Sequence, residues 1–150
     1  MTFRRNRRQQ LNGNNMKIIS NSEKETFSFA EKFAQTLRKG TVIFLNGEMG
    51  AGKTVFTKGL LNGLGYKGEV TSPTFAICHR YDAHIPVLHY DLYRLDGYDD
   101  AYSTGLFDDC DESNIAIIEW SGIAEEYFPE AVKINFEYGS SPDERIITVE

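Results

Sequence analysis

The chain has 150 residues, a length typical of one domain, and its 41% hydrophobic and 25% charged residues are typical of a folded globular protein. This composition excludes collagen-like, mucin-like and fully disordered classes, and no run of about 18 apolar residues is present to span a membrane. A basic N-terminus without a following apolar segment argues against a secretory signal. We therefore expect a cytoplasmic protein in which Cys78 and Cys110 are buried, reduced thiols and not catalytic groups.

The charge is distributed unevenly along the chain. Residues 1–81 carry 13 basic and 5 acidic side chains, whereas residues 82–150 carry 3 and 17, and the whole chain has a net charge of -6. A protein that grips nucleic acid by itself needs a basic face to displace counterions, but the one dense basic cluster, between Arg4 and Arg8, lies in a polar tail. The pattern argues against direct RNA binding by the folded part. The acidic half fits a solvated surface or a docking face for a basic protein partner.

The N-terminal segment differs in composition from the rest. Residues 1–15 lack hydrophobic periodicity and are rich in Arg, Asn and Gln, which predicts a disordered basic extension. Met16 begins the hydrophobic patterning, so we predict one structured domain over residues 16–150.

The first elements of the domain carry clear start and stop signals. A short strand is predicted over residues 17–19, and a capping box formed by Ser22 and Glu25 predicts a helix that Gly40 ends. The apolar run at residues 42–45 is too short for a helix and begins with β-branched side chains. It predicts a buried central strand.

The rest of the chain alternates between strands and short helices. Further strands are predicted at residues 75–81, 87–90, 115–118, 132–138 and 145–149, and short helices within 96–114 and at 122–128. The continuous apolar run at 115–118 predicts a second central strand, and the alternating runs at 132–138 and 145–149 predict antiparallel strands at a sheet margin. The predicted fold is therefore α/β, with central parallel strands, antiparallel margin strands and helices on both faces of a mixed sheet.

One loop carries recognisable chemistry. Residues 47–54, GEMGAGKT, which we call the glycine loop, match the pattern G-x-x-x-x-G-K-[ST] at every fixed position. The predicted strand at 42–45 enters this loop, and an amphipathic helix predicted over 52–64 leaves it. Strand, loop and helix in that order form the phosphate-binding P-loop unit, so we predict a single P-loop NTPase domain.

Each residue of the glycine loop suits a polyphosphate. Its glycines allow close approach to phosphate, and its amides form an anion nest at the positive end of the following helix. The predicted nucleotide-binding residues are Met49, Gly50, Ala51, Gly52, Lys53 and Thr54. The ammonium of Lys53 is predicted to reach the β- and γ-phosphates, and the Thr54 hydroxyl is suited to bind Mg²⁺.

A P-loop also needs a carboxylate across the sheet to hold magnesium. Glu119 follows the apolar strand at 115–118, and Asp91 follows the less apolar strand at 87–90. The carboxyl ends of parallel strands meet at the ligand crevice. We assign Glu119 to the metal-holding position and Asp91 to a second position near magnesium or the attacking water, the alternative being that one of them is a surface carboxylate.

Three further features leave alternatives open. The hydroxyls at residues 71–74 either sense the γ-phosphate or belong to an ordinary polar turn. His89 is either a general base or, as we favour, a half-buried structural histidine on the same strand face as Asp91. Trp120 either covers the nucleotide or fills the core.

Several ordered motifs together resemble a known family. They are the glycine loop, TSPTF at 71–75, HYDLYR at 89–94, IIEW at 117–120, and an S-x-x-x-T pattern from Ser22 to Thr26. These blocks fall within residues 16–150 and resemble the small bacterial P-loop ATPases that threonylcarbamoyladenosine formation in tRNA requires, called TsaE or YjeE.

The resemblance implies an activity and partners. It implies a cytoplasmic, Mg²⁺-dependent ATPase with weak activity alone, which prefers adenine over guanine and uses ATP to drive or reset a complex. The implied partners are the threonylcarbamoyl transferase and its inactive paralogue, with tRNA met only indirectly and no membrane involved. The transfer chemistry itself is implied to lie in the partner.

The resemblance also implies roles for single residues. Residues 49–54 would bind phosphates, and Thr54 and Glu119 would hold magnesium. Lys53, Asp91 and Glu119 would be the catalytic residues, and Glu23 would lie near the other end of the nucleotide.

Two other functions share this loop. A small-molecule or nucleotide kinase needs an arginine-rich lid, and beyond the helix that follows the loop only Arg80, Arg94 and Arg145 remain. A nucleotide switch would signal by ordering loops without hydrolysis. The two strand-end carboxylates favour hydrolysis over a pure switch.

Overall fold

The computed structural model describes residues 10–12, 15–48, 50–70, 78–93 and 95–150. The strands are β1 (Gln10–Asn12), β2 (Asn15–Ser20), β3 (Val42–Asn46), β4 (Cys78–Tyr81), β5 (Val87–Asp91), β6 (Ile115–Glu119), β7 (Val132–Tyr138) and β8 (Arg145–Val149). The helices are α1 (Glu23–Ala34), α2 (Lys53–Gly63), α3 (Tyr98–Ser103) and α4 (Leu106–Asp109), and two 3₁₀ turns span Ser121–Ile123 and Glu125–Tyr127. No helix within these ranges is long and apolar enough to cross a bilayer.

The described strands form one mixed sheet in the order β1-β2-β8-β7-β3-β6-β5-β4. The central strands β7, β3, β6 and β5 run parallel to their neighbours in that group, while β4, β8, β2 and β1 are paired antiparallel. The predicted α/β class, the parallel centre and the antiparallel margins are therefore confirmed. In this register Glu119 is paired with Leu45 on one side and Asp91 on the other, so three strands end together at one edge.

Helices cover both faces of the sheet, as predicted. α1 and α2 pack on one face against a core that includes Ile43 and Ile117, and the short helices α3 and α4 pack on the other against Phe44 and Ile118. Successive side chains of a strand point to opposite faces, so a strand covered on both sides is apolar throughout. This explains why the sequences of β3 and β6 are continuous apolar runs.

α1 begins as predicted but ends earlier. The Ser22 hydroxyl accepts a hydrogen bond from the Glu25 amide at 3.1 Å, and the Glu25 carboxylate accepts one from the Asn21 amide at 2.9 Å. The prediction that Gly40 ends the helix was wrong, because the helix ends at Ala34 and tighter turns follow. The Thr36 hydroxyl donates to a carbonyl of the last helical turn, which competes with continuation of the helix.

Two other predictions are corrected at the antiparallel end of the sheet. Residues 10–12 lie in the predicted disordered extension, but they form β1, which satisfies backbone groups along the edge of β2. β7 was predicted at the margin, but it lies inside the sheet, parallel to β3 and antiparallel to β8. Its alternation reflects burial on one face, with Ile134 and Phe136 in the core and Glu137 exposed, and does not mark an edge. The domain boundaries 1–15 and 16–150 stay a prediction.

In the remaining segments, the predicted kind of secondary structure agrees with the structure better than its predicted length does. The segment predicted as one helix at 122–128 forms two short 3₁₀ turns, and the segment 96–114 contains α3 and α4. Of the strand predicted at 75–81, Cys78–Tyr81 is described as a strand. The polar loop at 71–74 and residues 75–77 lie outside the described residues.

The contact between α1 and α2 depends on glycine. A Cβ atom added at Gly59 of α2 would collide with the Phe27 carbonyl oxygen and lie 2.9 Å from the Ala30 Cβ atom, and one added at Gly63 would lie 2.6 Å from the Glu31 carbonyl oxygen. Backbone atoms of a helix cannot move aside to relieve such a collision, whereas the end of a flexible side chain can. The two glycines therefore set how closely α2, which begins at the glycine loop, approaches α1.

We predict that Gly59→Ala lowers the free energy of unfolding by about 1–3 kcal/mol, the usual cost of overpacking, although alanine is the better helix former. Urea denaturation measures this change. Gly122→Ala is the matched control, because an added Cβ meets no heavy atom within 4 Å there. Equal stability of the two variants would contradict the close approach of the helices.

Candidate functional site

The glycine loop turns sharply between β3 and α2. Gly47, Gly50 and Gly52 have φ angles of +151°, +83° and +106°, which side chains other than glycine rarely adopt. A Cβ atom at Gly47 would also lie 2.8 Å from the Phe136 carbonyl oxygen of β7. The loop is thus pressed against the neighbouring strand, and the glycines at these positions are required by the backbone path.

The loop ends at the positive end of α2. The N-cap residue Gly52 provides no side chain to cap the helix, and the first turn of α2 contains no acidic residue. Amides in a first helical turn have no acceptor within the helix, so they and the helix dipole attract an anion. The structure brings residues 50–54 of the predicted phosphate site into one turn, while Met49 lies outside the described residues.

Lys53 is buried, with 7% of its surface exposed, although it carries a charge. Its Nζ atom donates a hydrogen bond to the Gly47 carbonyl oxygen at 2.8 Å and lies 3.6 Å from Oε1 of Glu119. Nζ also lies 5.0 Å from the centre of the Trp120 ring. A buried ammonium needs such partners, and here they hold it across the glycine loop.

Glu119 lies at the end of β6 between two basic side chains. It is 5% exposed, and its Oε2 atom is 2.6 Å from Nε2 of His89 while Oε1 faces Lys53. Burial acts to raise the pKa of the Glu119 carboxyl, but the hydrogen bond and charge of His89 and the charge of Lys53 outweigh it and lower the pKa below its usual value. Glu119 is therefore ionised at neutral pH.

Asp91 lies beside Glu119 at the end of the next strand. The two residues are register partners in parallel strands, so their side chains leave the same face of the sheet. The half-buried Asp91 carboxylate accepts a hydrogen bond from the Tyr93 amide at 3.0 Å. Within the described part of the chain, no hydrogen bond or ion pair joins it to Lys53 or Glu119. Asp91 thus borders the Lys53–Glu119 pair without being part of it.

His89 is a site residue that the sequence interpretation underestimated. It was expected to be half-buried and structural, but it is 1% exposed and its one described polar contact is with Glu119. The available signal was its position two residues before Asp91, which puts both on the strand face that also carries Glu119. What the sequence lacked was the register between β5 and β6, which makes His89 a diagonal neighbour of Glu119.

An exposed aromatic pair borders the site. Trp120 adopts a left-handed backbone conformation with φ of 58°, and its ring centre lies 4.9 Å from that of Tyr93. Trp120 is 41% and Tyr93 61% exposed. Of the two alternatives for Trp120, the structure favours a place at the site over a place in the core, because the ring stands over the Lys53 ammonium.

Glu23 is the first residue of α1 and is exposed. No hydrogen bond or ion pair joins it to the described residues of the glycine loop. Its predicted role near the far end of a nucleotide rests on the resemblance alone.

The residues at the site suit a magnesium ion that brings other ligands with it. Mg²⁺ prefers oxygen ligands and is usually held by one or two carboxylates together with phosphates and water. The ionised Glu119 carboxylate and the exposed hydroxyl of Thr54 are such ligands. No three His, Cys, Asp or Glu side chains converge on a metal cage within the described ranges, so phosphate would have to complete the set.

The cysteines lie on the opposite face of the sheet from α2. Burial raises the pKa of the Cys78 thiol, and burial together with nearby acidic groups raises that of Cys110 to about 12. Thiols with such raised pKa values are poor nucleophiles at neutral pH. Both cysteines are free, but they are partly buried and not fully buried as expected.

Comparison with known proteins finds similarity over most of the chain. The family model described as threonylcarbamoyl adenosine biosynthesis protein TsaE matches residues 20–147. Proteins described as tRNA threonylcarbamoyladenosine biosynthesis protein TsaE are similar to the chain: that of Haemophilus influenzae is 38% identical over 117 residues, covering 73% of this chain and 74% of the relative. That of Rickettsia bellii is 38% identical over 117 residues, covering 77% and 81%. A crystal structure of Bacillus subtilis YdiB superposes with a TM-score of 0.72 at 31% identity, covering 90% of this chain and 84% of that one.

The lowered pKa of Glu119 predicts how stability depends on pH. A carboxyl group with a lower pKa in the folded state adds stability above its unfolded pKa of about 4.3, and this stability is lost as the pH falls through the folded pKa. We predict that the unfolding free energy of the wild type falls more steeply than that of Glu119→Gln as the pH falls below about 5. Urea denaturation at a series of pH values measures both slopes.

The matched control for this experiment is Glu126→Gln, which removes an exposed carboxylate. Its slope should follow that of the wild type. If Glu119→Gln also follows the wild type, the buried charge cluster does not lower the pKa of Glu119.

Proposed function

The chain belongs to the TsaE family of threonylcarbamoyl adenosine biosynthesis proteins, and from this premise we propose that it is a Mg²⁺-dependent ATPase serving threonylcarbamoyladenosine formation in tRNA. The observation that carries the proposal is the buried Lys53 ammonium, 3.6 Å from the ionised Glu119 carboxylate at the positive end of α2. A cation, a carboxylate and a free helix N-terminus are the parts that phosphoryl-transfer sites require.

We propose that the domain is a P-loop NTPase. β3 enters the glycine loop, α2 leaves it, and β6 lies parallel to β3 with a carboxylate at its end. This arrangement puts the carboxylate across from the first turn of the helix, where the metal of such a site is bound. The 31% identical YdiB structure, which covers most of the chain, supports the same overall fold.

In the proposed ATP complex, the amides of residues 49–54 surround the phosphates. Lys53, which now donates to the Gly47 carbonyl, exchanges that neutral acceptor for oxygens of the β- and γ-phosphates. The exchange is favourable because a hydrogen bond between ionised partners is stronger than one with a neutral carbonyl. The Glu119 charge nearby keeps the ammonium in place before nucleotide binds.

Thr54 and Glu119 are the residues that would hold magnesium in this proposal. A magnesium ion held there would supply positive charge against the negative charge that develops during transfer of the γ-phosphoryl group to water. Asp91 borders the same edge of the sheet and would orient the attacking water or contact the metal. Lys53 stabilises the same developing charge from the loop side.

The described rim of the site is exposed, which fits the proposed weak activity of the isolated protein. Thr54 and Tyr93 are exposed, and Trp120 is 41% exposed, so water reaches the surroundings of the proposed phosphates. Electrostatic stabilisation is stronger where water is excluded. We propose that the threonylcarbamoyl transferase and its inactive paralogue complete the site, that hydrolysis drives or resets their complex, and that tRNA is met only through them.

The described arginines count against a kinase. The exposed Arg80 side chain pairs with Asp82 at 3.2 Å, and Arg145 donates to the carbonyls of Pro142 and Glu144. Both are engaged in local contacts and not in a lid that would clamp a second phosphorylated substrate. Arg94 lies outside the described residues.

We predict that Lys53→Ala lowers ATP turnover by about 100-fold or more, because it removes a preorganised charge from the transition state. Phosphate release is measured on the protein together with its two partners. Lys58→Ala, which removes an exposed lysine from the same helix, is the control and should retain turnover. Phosphate transfer to an acceptor molecule would indicate a kinase, and nucleotide binding with no phosphate release beside the partners would indicate a switch.

The biological assignment has a separate test. We expect tRNA from cells depleted of this protein to lose threonylcarbamoyladenosine, and the wild-type gene, but not the Lys53→Ala gene, to restore it. Analysis of tRNA nucleosides measures the modification. Unaltered nucleosides after depletion would remove the assignment while leaving the ATPase proposal intact.

A further inference from the structure

The two oxygens of the Glu119 carboxylate have different surroundings. Oε2 is 2.6 Å from Nε2 of His89, which is a short hydrogen bond, whereas Oε1 is 3.6 Å from the Lys53 ammonium, beyond hydrogen-bond distance. Oε2 is therefore held by a hydrogen bond. Oε1 faces the glycine loop, where its one described charged neighbour is the Lys53 ammonium.

The direction of the His89 hydrogen bond follows from the charge of its partner. An ionised carboxylate only accepts, so Nε2 of His89 carries the proton and donates it to Oε2 of Glu119. The other ring nitrogen, Nδ1, is buried and has no hydrogen-bond partner among the described residues. The hydrogen bond to Glu119 is thus the one described polar contact that fixes the ring.

Burial argues against a direct role of His89 in proton transfer. The side chain is 1% exposed, and Glu119 lies between its Nε2 atom and the Lys53 ammonium. A general base must come within hydrogen-bond reach of the proton that it removes. His89 instead meets the requirements for a residue that acts through its neighbour.

We propose that His89 is a positioning residue, which binds Oε2 of Glu119 so that Oε1 remains directed at the glycine loop to hold the metal. The inference rests on the proposed function, because it assigns a partner to the carboxylate that would bind magnesium. Metal-binding side chains are commonly oriented in this way by a second set of hydrogen bonds.

Loss of the hydrogen bond has a defined consequence. Without a donor at the position of Nε2, Oε2 would be a buried oxygen lacking its partner, and the carboxylate would turn to place both oxygens toward Lys53. Lys53 would then be bound more tightly by Glu119, and Oε1 would no longer be directed at the metal. The benefit that magnesium gives to nucleotide binding would fall.

The experiment measures that benefit directly. Calorimetry gives the affinity for a non-hydrolysable ATP analogue in Mg²⁺ and in EDTA, and the ratio of the two affinities is the magnesium benefit. Two variants test whether the position of the donor matters or only its polarity. In His89→Gln an amide nitrogen reaches the place of Nε2, whereas in His89→Asn the shorter side chain does not reach it. Both are polar, and folding of each is checked by thermal unfolding.

We expect His89→Asn to lower the magnesium benefit by about 10-fold or more, the usual cost of losing such a partner, and His89→Gln to remain within about 3-fold of the wild type. His84→Gln, at an exposed histidine, should be unchanged. In a Glu119→Gln background the asparagine substitution should add no further loss, which a general loss of packing would not predict.

A wild-type magnesium benefit that is unchanged in His89→Asn would overturn the positioning role alone. Equal losses in His89→Asn and His89→Gln, or a further loss in the Glu119→Gln background, would also overturn it, since packing would then explain the effect. A wild-type protein that binds the analogue equally well in Mg²⁺ and EDTA would overturn both this inference and the proposed magnesium site.

Discussion

Two opposite charges are buried side by side: the Lys53 ammonium at the start of α2 and the Glu119 carboxylate at the end of β6. The rest of the site depends on this contact. Lys53 and Glu119 are both almost fully buried, and each needs the other because an unpaired buried charge is strongly destabilising. The contact holds the ammonium at the loop and the carboxylate at the strand end. In the proposed function, phosphate and metal would replace these contacts within the protein.

The sheet makes this contact possible. β3 and β6 are neighbours and run parallel, so the residue that leaves β3 and the residue that ends β6 reach the same edge. β5 continues the pattern and adds Asp91 at the same level, with His89 one pleat below on the same face. Apolar packing on both faces fixes the register, because a shift by one residue would put Glu119 in the opposite core.

Different parts of the site differ in how deeply they are buried. Lys53, His89 and Glu119 are buried, while the side chains of Tyr93 and Trp120 beside them are exposed to solvent. Electrostatic stabilisation is stronger where water is excluded, and on this side of the site the described aromatic side chains are exposed. Among the described residues, the site is thus buried at its base and exposed at its rim.

Local pattern in the sequence determined the class of the domain, the central strands, the helix after the glycine loop, and the loop itself, because periodicity and glycine spacing act over a few residues. The tertiary structure decided what depends on residues distant in sequence: the place of β7 inside the sheet, the pairing of β1 with β2, and the end of α1 at Ala34. It also decided that His89 meets Glu119 across 30 positions of sequence. The side chain that a residue contacts on a neighbouring strand depends on strand order and register. The local sequence pattern of one strand determines neither of these.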